Sequence, residues 1–546
     1  MPKILINEID QTAPGTSGNY SNYAVLIAGF TGDRLGEGNV ILPDSNGVYE
    51  FSSAKDFKAT IGLVAPGDEY KESGKDTPEL KLYHYGNHMA YELLNLGYSI
   101  LYLPIDKENG IEALTDASTW EIFKDRANYD FRFISHGLLE TSDTTVLDNR
   151  IGELHTAIAV MNEEVLSSDD ESLADEDKLI ITSITEPDDV DGRLELAAAH
   201  NELYQALYLA MSDGTHEAIN GLKDPNTGEY YASCYAAIKG VLTEIQLKTA
   251  LLEKCITADT FAAANANIAN LAKYSVDDAT GISGRGDCIA LIELNEKDYV
   301  NATHNPELSI IEAINKMDYI NGANGKYCAM TVPSVVYKNG KKMPGAFHYL
   351  ACFINALQSG FAEWYAAAGY TRGVSSYTID RTTVTLGEIA INTLEPRNRV
   401  NDNSPKFACN VIANFRGSYY LWGNRTAQQL GSADGTDGDL IASHFLNIRQ
   451  LCTTIKKQVY TTCRRYTFDP NSDTLWFNFV NAIRPTLDAM KADQGIRDYK
   501  VLKVPTDKKA TLKAKIRIIP IEAVEDFDIE VSLEESFGET AAVVTE

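Results

Sequence analysis

The side chains whose spacing could do chemistry are His84, His88 and Glu92, which fall at i, i+4 and i+8 and would line three metal-ligand types along one helix face. The zinc-peptidase arrangement needs a glutamate directly after the first histidine. Tyr85 stands there, so an amphipathic helix with polar histidines is the simpler account. Gly281, Gly284 and Gly286 do not make a G-x-G-x-x-G turn behind a strand, and no G-x-x-x-x-G-K-[ST] loop is present to cradle a phosphate. The aspartates between positions 163 and 191 lack EF-hand spacing and read as a solvated acidic loop. Arg285–Asp287 spells R-G-D, three common residues that carry no chemistry by themselves, and no G-x-S-x-G elbow marks a nucleophile. Cys234, Cys255, Cys288, Cys328, Cys352, Cys409, Cys452 and Cys463 form no C-x-x-C pair, which argues against structural zinc and a disulfide framework and for small buried apolar residues. The expectation is a protein that is not an enzyme and has no catalytic centre, cofactor or metal.

The elements around these residues are those of a multi-domain α/β (α+β) chain of 546 residues. Residues 1–22 read as an extended arm, a short apolar alternation followed by a Gly/Ser/Asn/Pro stretch. Residues 23–127 hold a buried strand "YAVLIAGF", a helix capped at Ser52 or Ser53, and an amphipathic helix stopped by Gly97 before the strand "SILYLPI". From 128 to 287 an acidic run leads into helical segments, read as an inserted or elaborated outer subdomain. The α/β pattern resumes over 288–390, and 391–535 form a basic C-terminal domain, with a tail at 536–546. No basic n-region or bilayer-length apolar run occurs, which predicts synthesis and folding in a cytoplasm and no membrane insertion.

Charge is segregated. The chain carries −29 overall, yet residues 391–520 hold 20 Lys+Arg against 11 Asp+Glu, and residues 521–546 hold nine acids and no base. An acidic body thus joins a basic module closed by an acidic segment. The acids interleaved with the basic residues, and the repulsion of phosphate by the rest, argue against nucleic acid as the partner. In "SHFLNIRQLCTTIKKQVYTTCRRY" an apolar stripe of Phe445, Ile448, Cys452, Ile455, Val459 and Cys463 marks a helix, with Arg449, Lys456, Lys457 and Arg464 on another face. The next helix follows the capping cluster "DPNSD", and Pro485 predicts a kink in it. In "EDFDIEVSLEE" Phe527, Ile529, Val531 and Leu533 alternate with polar residues as in a strand with one buried face. Such a strand, so near the end of the sequence, needs a partner.

The stretch "GSYYLWGNRTAQQ" (Trp422, Gly423, Arg425, Thr426), the long basic helix, the turn at Asp469, Pro470 and Asn471, and a helix opening with Leu-Trp (Trp476), followed by "GIRDYKV", together resemble the strand–helix–helix core of contractile-tail sheath proteins. Upstream, "VYEFSSAKDFKATIG", "YELLNLGYSILYLPI" and "YCAMTVPSVVYKNGKKMPGAFHYLACFINALQSGFAEWYAAAG" are similar to further parts of that family; residues of roughly 130–285 have no counterpart in it. The resemblance implies a mixed sheet with helices, completed by strands exchanged between subunits. It implies a homopolymer of hexameric rings or a six-start helix around a tail tube, ended by baseplate and tail terminator proteins. The setting would be a virion tail assembled in the host cytoplasm. By the same resemblance Ile516, Ile518, Phe527, Ile529 and Val531 would lie in the exchanged sheet, with Ile4 and Ile6 received from a neighbour, and Arg449, Lys456, Lys457 and Arg464 would face the tube. A phage tail fits the chain length better than a bacteriocin. Both arms in one chain argue against the two-chain sheaths of type VI secretion. The alternatives are a cytoplasmic α/β enzyme with an acidic helical insertion and a non-contractile tube or baseplate component.

Overall fold

The structure is a computed structural model that describes residues 24–30, 36, 38–63, 68–70, 80–82, 85–105, 111–154, 234–253, 255–274, 276–277, 281–282, 284–300, 305–320, 322–374, 380–395, 405–429, 440–507 and 509–525. Strands β1 (Val25–Phe30), β2 (Tyr49–Phe51), β5 (Ile100–Ile105), β6 (Phe133–Ser135), β9 (Ile289–Ile292), β10 (Cys328–Val332), β14 (Asn410–Phe415) and β15 (Ser418–Trp422) make one sheet. Short pairs β3 (Asp68–Tyr70) with β4 (Leu80–Leu82) and β7 (Val276–Asp277) with β8 (Gly281–Ile282) lie outside it. The eight-stranded order is β15-β14-β10-β9-β6-β1-β5-β2. Its inner pairings are parallel, and β15 and β2 close the two edges antiparallel. The inner strands read as near-continuous apolar runs because helices cover both faces of a parallel sheet.

One face receives α1 (Ala54–Thr60), α2 (Gly86–Asn95) and the later α8 (Ala346–Gln358), which pack Phe57, Met89, Leu93, Leu350 and Phe353 on Val25, Ile27, Tyr102 and Phe133. The opposite face receives α3 (Ile111–Thr115), α4 (Ala117–Glu121), α6 (Ala258–Ala272) and α7 (Pro306–Asn315) against Leu26, Ala28, Ile134, Ala290 and Met330. Alternate residues of one strand thus serve opposite cores. Local signals set the helix ends: Ser53 caps α1 by accepting from the Asp56 amide, Gly97 turns the chain out of α2 at φ +97°, and Asn305 with Pro306 opens α7. Helix α5 (Cys234–Glu253) packs Leu251 and Leu252 on Leu147 and Ile151, and strands β11 (Val335–Lys338), β12 (Lys341–Pro344) and β13 (Arg381–Thr382) form a separate three-stranded ribbon. Short helices α9 (Gly369–Arg372) and α10 (Glu388–Leu394) lead back to β14.

The last module has a core of its own. Helices α11 (Leu446–Tyr466) and α12 (Asp473–Ala492) form a hairpin whose Leu451, Ile455, Val459, Phe479, Ile483 and Met490 meet one face of a two-stranded antiparallel ribbon, β16 (Ile496–Val504) and β17 (Lys513–Pro520). Helix α12 runs on through Pro485 as a single element.

Two expected boundaries move. The range 128–287 expected as an outer subdomain gives β6 to the middle of the sheet and α6 to its core, so those parts belong to the α/β body. The basic domain expected from 391 likewise gives β14 and β15 to that sheet, and its separate core joins α11, α12, β16 and β17 with Ala362 and Trp364.

Candidate assembly surface

The W-G-x-R-T stretch is where the sheet edge is stitched to the α11 hairpin. A Cβ on Gly423 would fall 2.8 Å from the Asn410 Cα, so only glycine lets the two strands approach here. Asn410 then reads the backbone of the next motif residue: its Oδ1 accepts from the Arg425 amide at 2.7 Å and its Nδ2 donates to the Arg425 carbonyl at 2.8 Å. Thr426 donates through Oγ1 to the Ser443 carbonyl (2.8 Å), and its amide donates to the His444 carbonyl. Asn424 and Asn447 bond each other, and the Asn447 amide donates to Asn424 Oδ1. Trp422 stands half-buried in an aromatic group with Tyr370 (5.0 Å) and Phe415 (4.9 Å). Asp469, Pro470 and Asn471 make the exposed turn between α11 and α12. There Ser472 is the cap, accepting from the Leu475 amide, and Trp476 packs on the module core beside Phe479.

The four basic residues expected to share one open face do not do so. Arg449, Lys456 and Lys457 are buried, and only Arg464 is exposed. Arg449 lies over the Tyr327 ring, Lys456 donates to the Gly286 carbonyl at 2.8 Å, and Lys457 reaches Asp130 and the Phe131 carbonyl. The reason is a buried ionic cluster that the chain's R-G-D builds. Arg285 bonds Asp287 (2.9 Å) and the carbonyls of Phe123 and Tyr129, and Arg126 approaches Asp287 from the other side. Burial opposes the Asp287 carboxylate, but Arg285, Lys457 and Arg126 outweigh it and hold the group well below the usual carboxylate range. Burial also lowers Lys457, against the pull of Asp287 and Asp130. Nearby, buried Arg132 donates to Gln450 and Thr454 of α11. The inner face of α11 is therefore a polar seam to the α/β body.

The basic surface of the module lies instead on the outside of the ribbon. In β16 and β17, Tyr499, Val501, Ile516 and Ile518 face the α11–α12 core; Ile516 and Ile518 are thus half-buried against their own helices. The register sets Lys500 opposite Arg517, Leu502 opposite Lys515 and Val504 opposite Lys513 on the other face. Two like charges directly opposite are unfavourable by themselves. No third strand pairs with the ribbon among the described residues. Ile4, Ile6, Phe527, Ile529 and Val531 lie outside the described residues, as does His84, while His88 is buried.

The described chain ends at Glu525, held by Arg425 through two hydrogen bonds of 2.7 and 2.6 Å. Among the described residues no group of three or more His, Cys, Asp and Glu side chains could hold a metal ion, no helix is long and apolar enough to cross a membrane, and five of the cysteines are buried thiols.

No protein-family model matches the chain, and no curated protein matches its sequence. Solved structures are similar to it over nearly the whole chain. One is a chain of the anti-feeding prophage baseplate, 11% identical with a TM-score of 0.49, covering 98% of this chain and 99% of that one. Another is from the contracted sheath complex of an extracellular contractile injection system, PVC, 10% identical with a TM-score of 0.46 and 98% of each chain covered. A third is from the contracted helical sheath of the anti-feeding prophage, 11% identical with a TM-score of 0.44, covering 98% of this chain and 99% of that one.

Proposed function

We propose that the protein is a structural subunit of a contractile sheath: it polymerises as a helical cylinder around a tail tube and shortens to drive that tube through an envelope. The observation that carries the reading is the β16–β17 ribbon, which has one face on the hairpin bearing the W-G-x-R-T and Leu-Trp motifs and no third strand among the described residues. A strand of a neighbouring copy, either "KILINEI" or "DFDIEVS", would add to that edge by main-chain hydrogen bonds, with alternate side chains fixing register. About 4–6 such bonds at about 1 kcal/mol each give one modest link. Repeated through a polymer, the links keep the cylinder connected while the bodies rotate. The partners are other copies of the chain, a tube protein, and baseplate and terminator proteins, in a virion or an injection machine released from its host cell.

Negative-stain electron microscopy of the purified chain, beside a chain ending at Glu525, tests this. Hollow striated cylinders are expected from the full chain and not from the shortened one. Small monodisperse particles from both would reject self-assembly through the terminal strand.

A further inference from the structure

The acidic segment that follows β17 does not simply leave the module; its root is tied to the stretch after β15 at the edge of the sheet. We propose that Arg425 is a positioning residue for assembly, clamping Glu525 so that the terminal strand departs from one fixed point. The assembly part of this rests on the sheath reading, whereas the clamp itself does not.

The guanidinium is 2% exposed, stacked over the Phe445 ring at 5.0 Å, with its own backbone locked on both sides by Asn410. It presents Nη1 and Nη2 to the two oxygens of Glu525, the planar two-point match that distinguishes arginine from lysine. One hundred residues separate the partners, so the pair joins the last described residue to the edge of the body sheet. Glu395 stands 3.7 Å from Nη2 as a second carboxylate. When Glu525 leaves, Glu395 can close on Arg425, so the buried cation is never left without a counter-charge, the costly alternative. The clamp is therefore releasable.

Its consequence follows from chain length. Phe527, the first apolar residue of the strand expected from the sequence, lies two residues past Glu525, at most about 7 Å of extended chain from the clamp. A root fixed this close limits the directions in which the strand can depart, and lowers the ordering cost of adding it to a neighbour.

The test uses the full chain with Glu525→Gln, Glu525→Asp and Glu395→Gln. In hydrogen–deuterium exchange of the unassembled protein, Glu525→Gln should speed exchange of peptides within residues 519–525 by at least about tenfold, the loss of a charge-assisted two-point bond. Peptides from β5 and α11 should not change. Glu525→Asp should restore part of the protection, and Glu395→Gln should leave it alone. Unchanged exchange in Glu525→Gln overturns the clamp. In microscopy, Glu525→Gln should give fewer and shorter cylinders than the unaltered chain. Cylinders as long and as frequent as the unaltered ones, from a variant whose exchange has risen, overturn the positioning role. If the unaltered chain forms no cylinders, the sheath reading fails while the exchange result still decides the clamp.

Discussion

The α/β body and the C-terminal ribbon use strands in opposite ways. In the body β9 and β10 are buried at every position, and β5 at all but one, because helices cover both faces and neighbours occupy both edges. In the ribbon, β16 and β17 hold only half-buried and exposed positions apart from buried Ile496 and Pro520, with one face on α11 and α12 and no neighbour beyond the pair among the described residues. A two-stranded sheet is marginal alone, and here the hairpin behind it supplies the missing burial. Among the described residues the inner strands of the body are thus paired on both sides and covered on both faces, while the ribbon is a single pair covered on one face.

The largest expected effect breaks the link between the two regions. Asp287→Asn leaves Arg285 and Lys457 without their shared carboxylate in a buried site, and should cost about 3–5 kcal/mol in denaturant unfolding. The loss should appear in probes of both regions, since Lys457 belongs to α11 and Arg285 to the body. If only the body loses stability, the ionic seam does not couple them. Because the folded Asp287 titrates below its ordinary range, its contribution is present above pH about 4 and fades as the pH falls further, so the variant should also lose part of the acid-side dependence.

A smaller effect separates the regions by pH. Glu293, fully buried with Oε1 accepting from the Ala346 amide at 2.8 Å, is raised by burial from 4.5 to about 8. The folded protein therefore holds a proton that the unfolded chain releases, and stability should fall as the pH rises from 4.5 to 8. Buried His136 and His348 act in the other direction, lowered by burial to about 4 and about 3, so they cost stability as the pH falls from 6.5. Glu293→Gln should leave stability at pH 5 nearly unchanged and raise it at pH 8 by about 3 kcal/mol, measured as the difference from the unaltered chain so that the histidine terms cancel. No difference between the two pH values would mean that Glu293 is ionised at little cost.

Periodicity made the body legible. The apolar runs at 25–30, 100–105 and 289–292 are strands, Ser53 caps its helix, and Gly97 ends another. The two helices of the last module were legible for the same reason. What failed was the meaning of polar residues. Lys456 and Lys457 on a basic stripe look solvated until Gly286 and Asp130, distant in sequence, close over them. R-G-D looked like chance, yet Arg285 and Asp287 just before a buried strand neutralise each other inside the protein. Whether a charged residue is buried depends on distant segments that close over it and leaves no local pattern, whether its partner is near, as for Arg285 and Asp287, or far, as for Lys457 and Asp130; burial of apolar faces does leave one.

The smallest effect bears on the outer face of the ribbon. Lys500 and Arg517 sit directly opposite and repel. Lys500→Glu turns that pair into an attractive one and should stabilise the free protein slightly, by about 0.2–1 kcal/mol. If the basic face exists to meet an anionic partner, the same substitution should weaken assembly, and the loss should shrink as salt screens both versions. Stability and assembly would then move in opposite directions, a divergence not expected from substitutions in the body core, where both should fall together. A Lys500→Glu chain that gains stability and assembles as well as the original would show that the repulsion serves no contact. The open edge alone would then have to account for the surface.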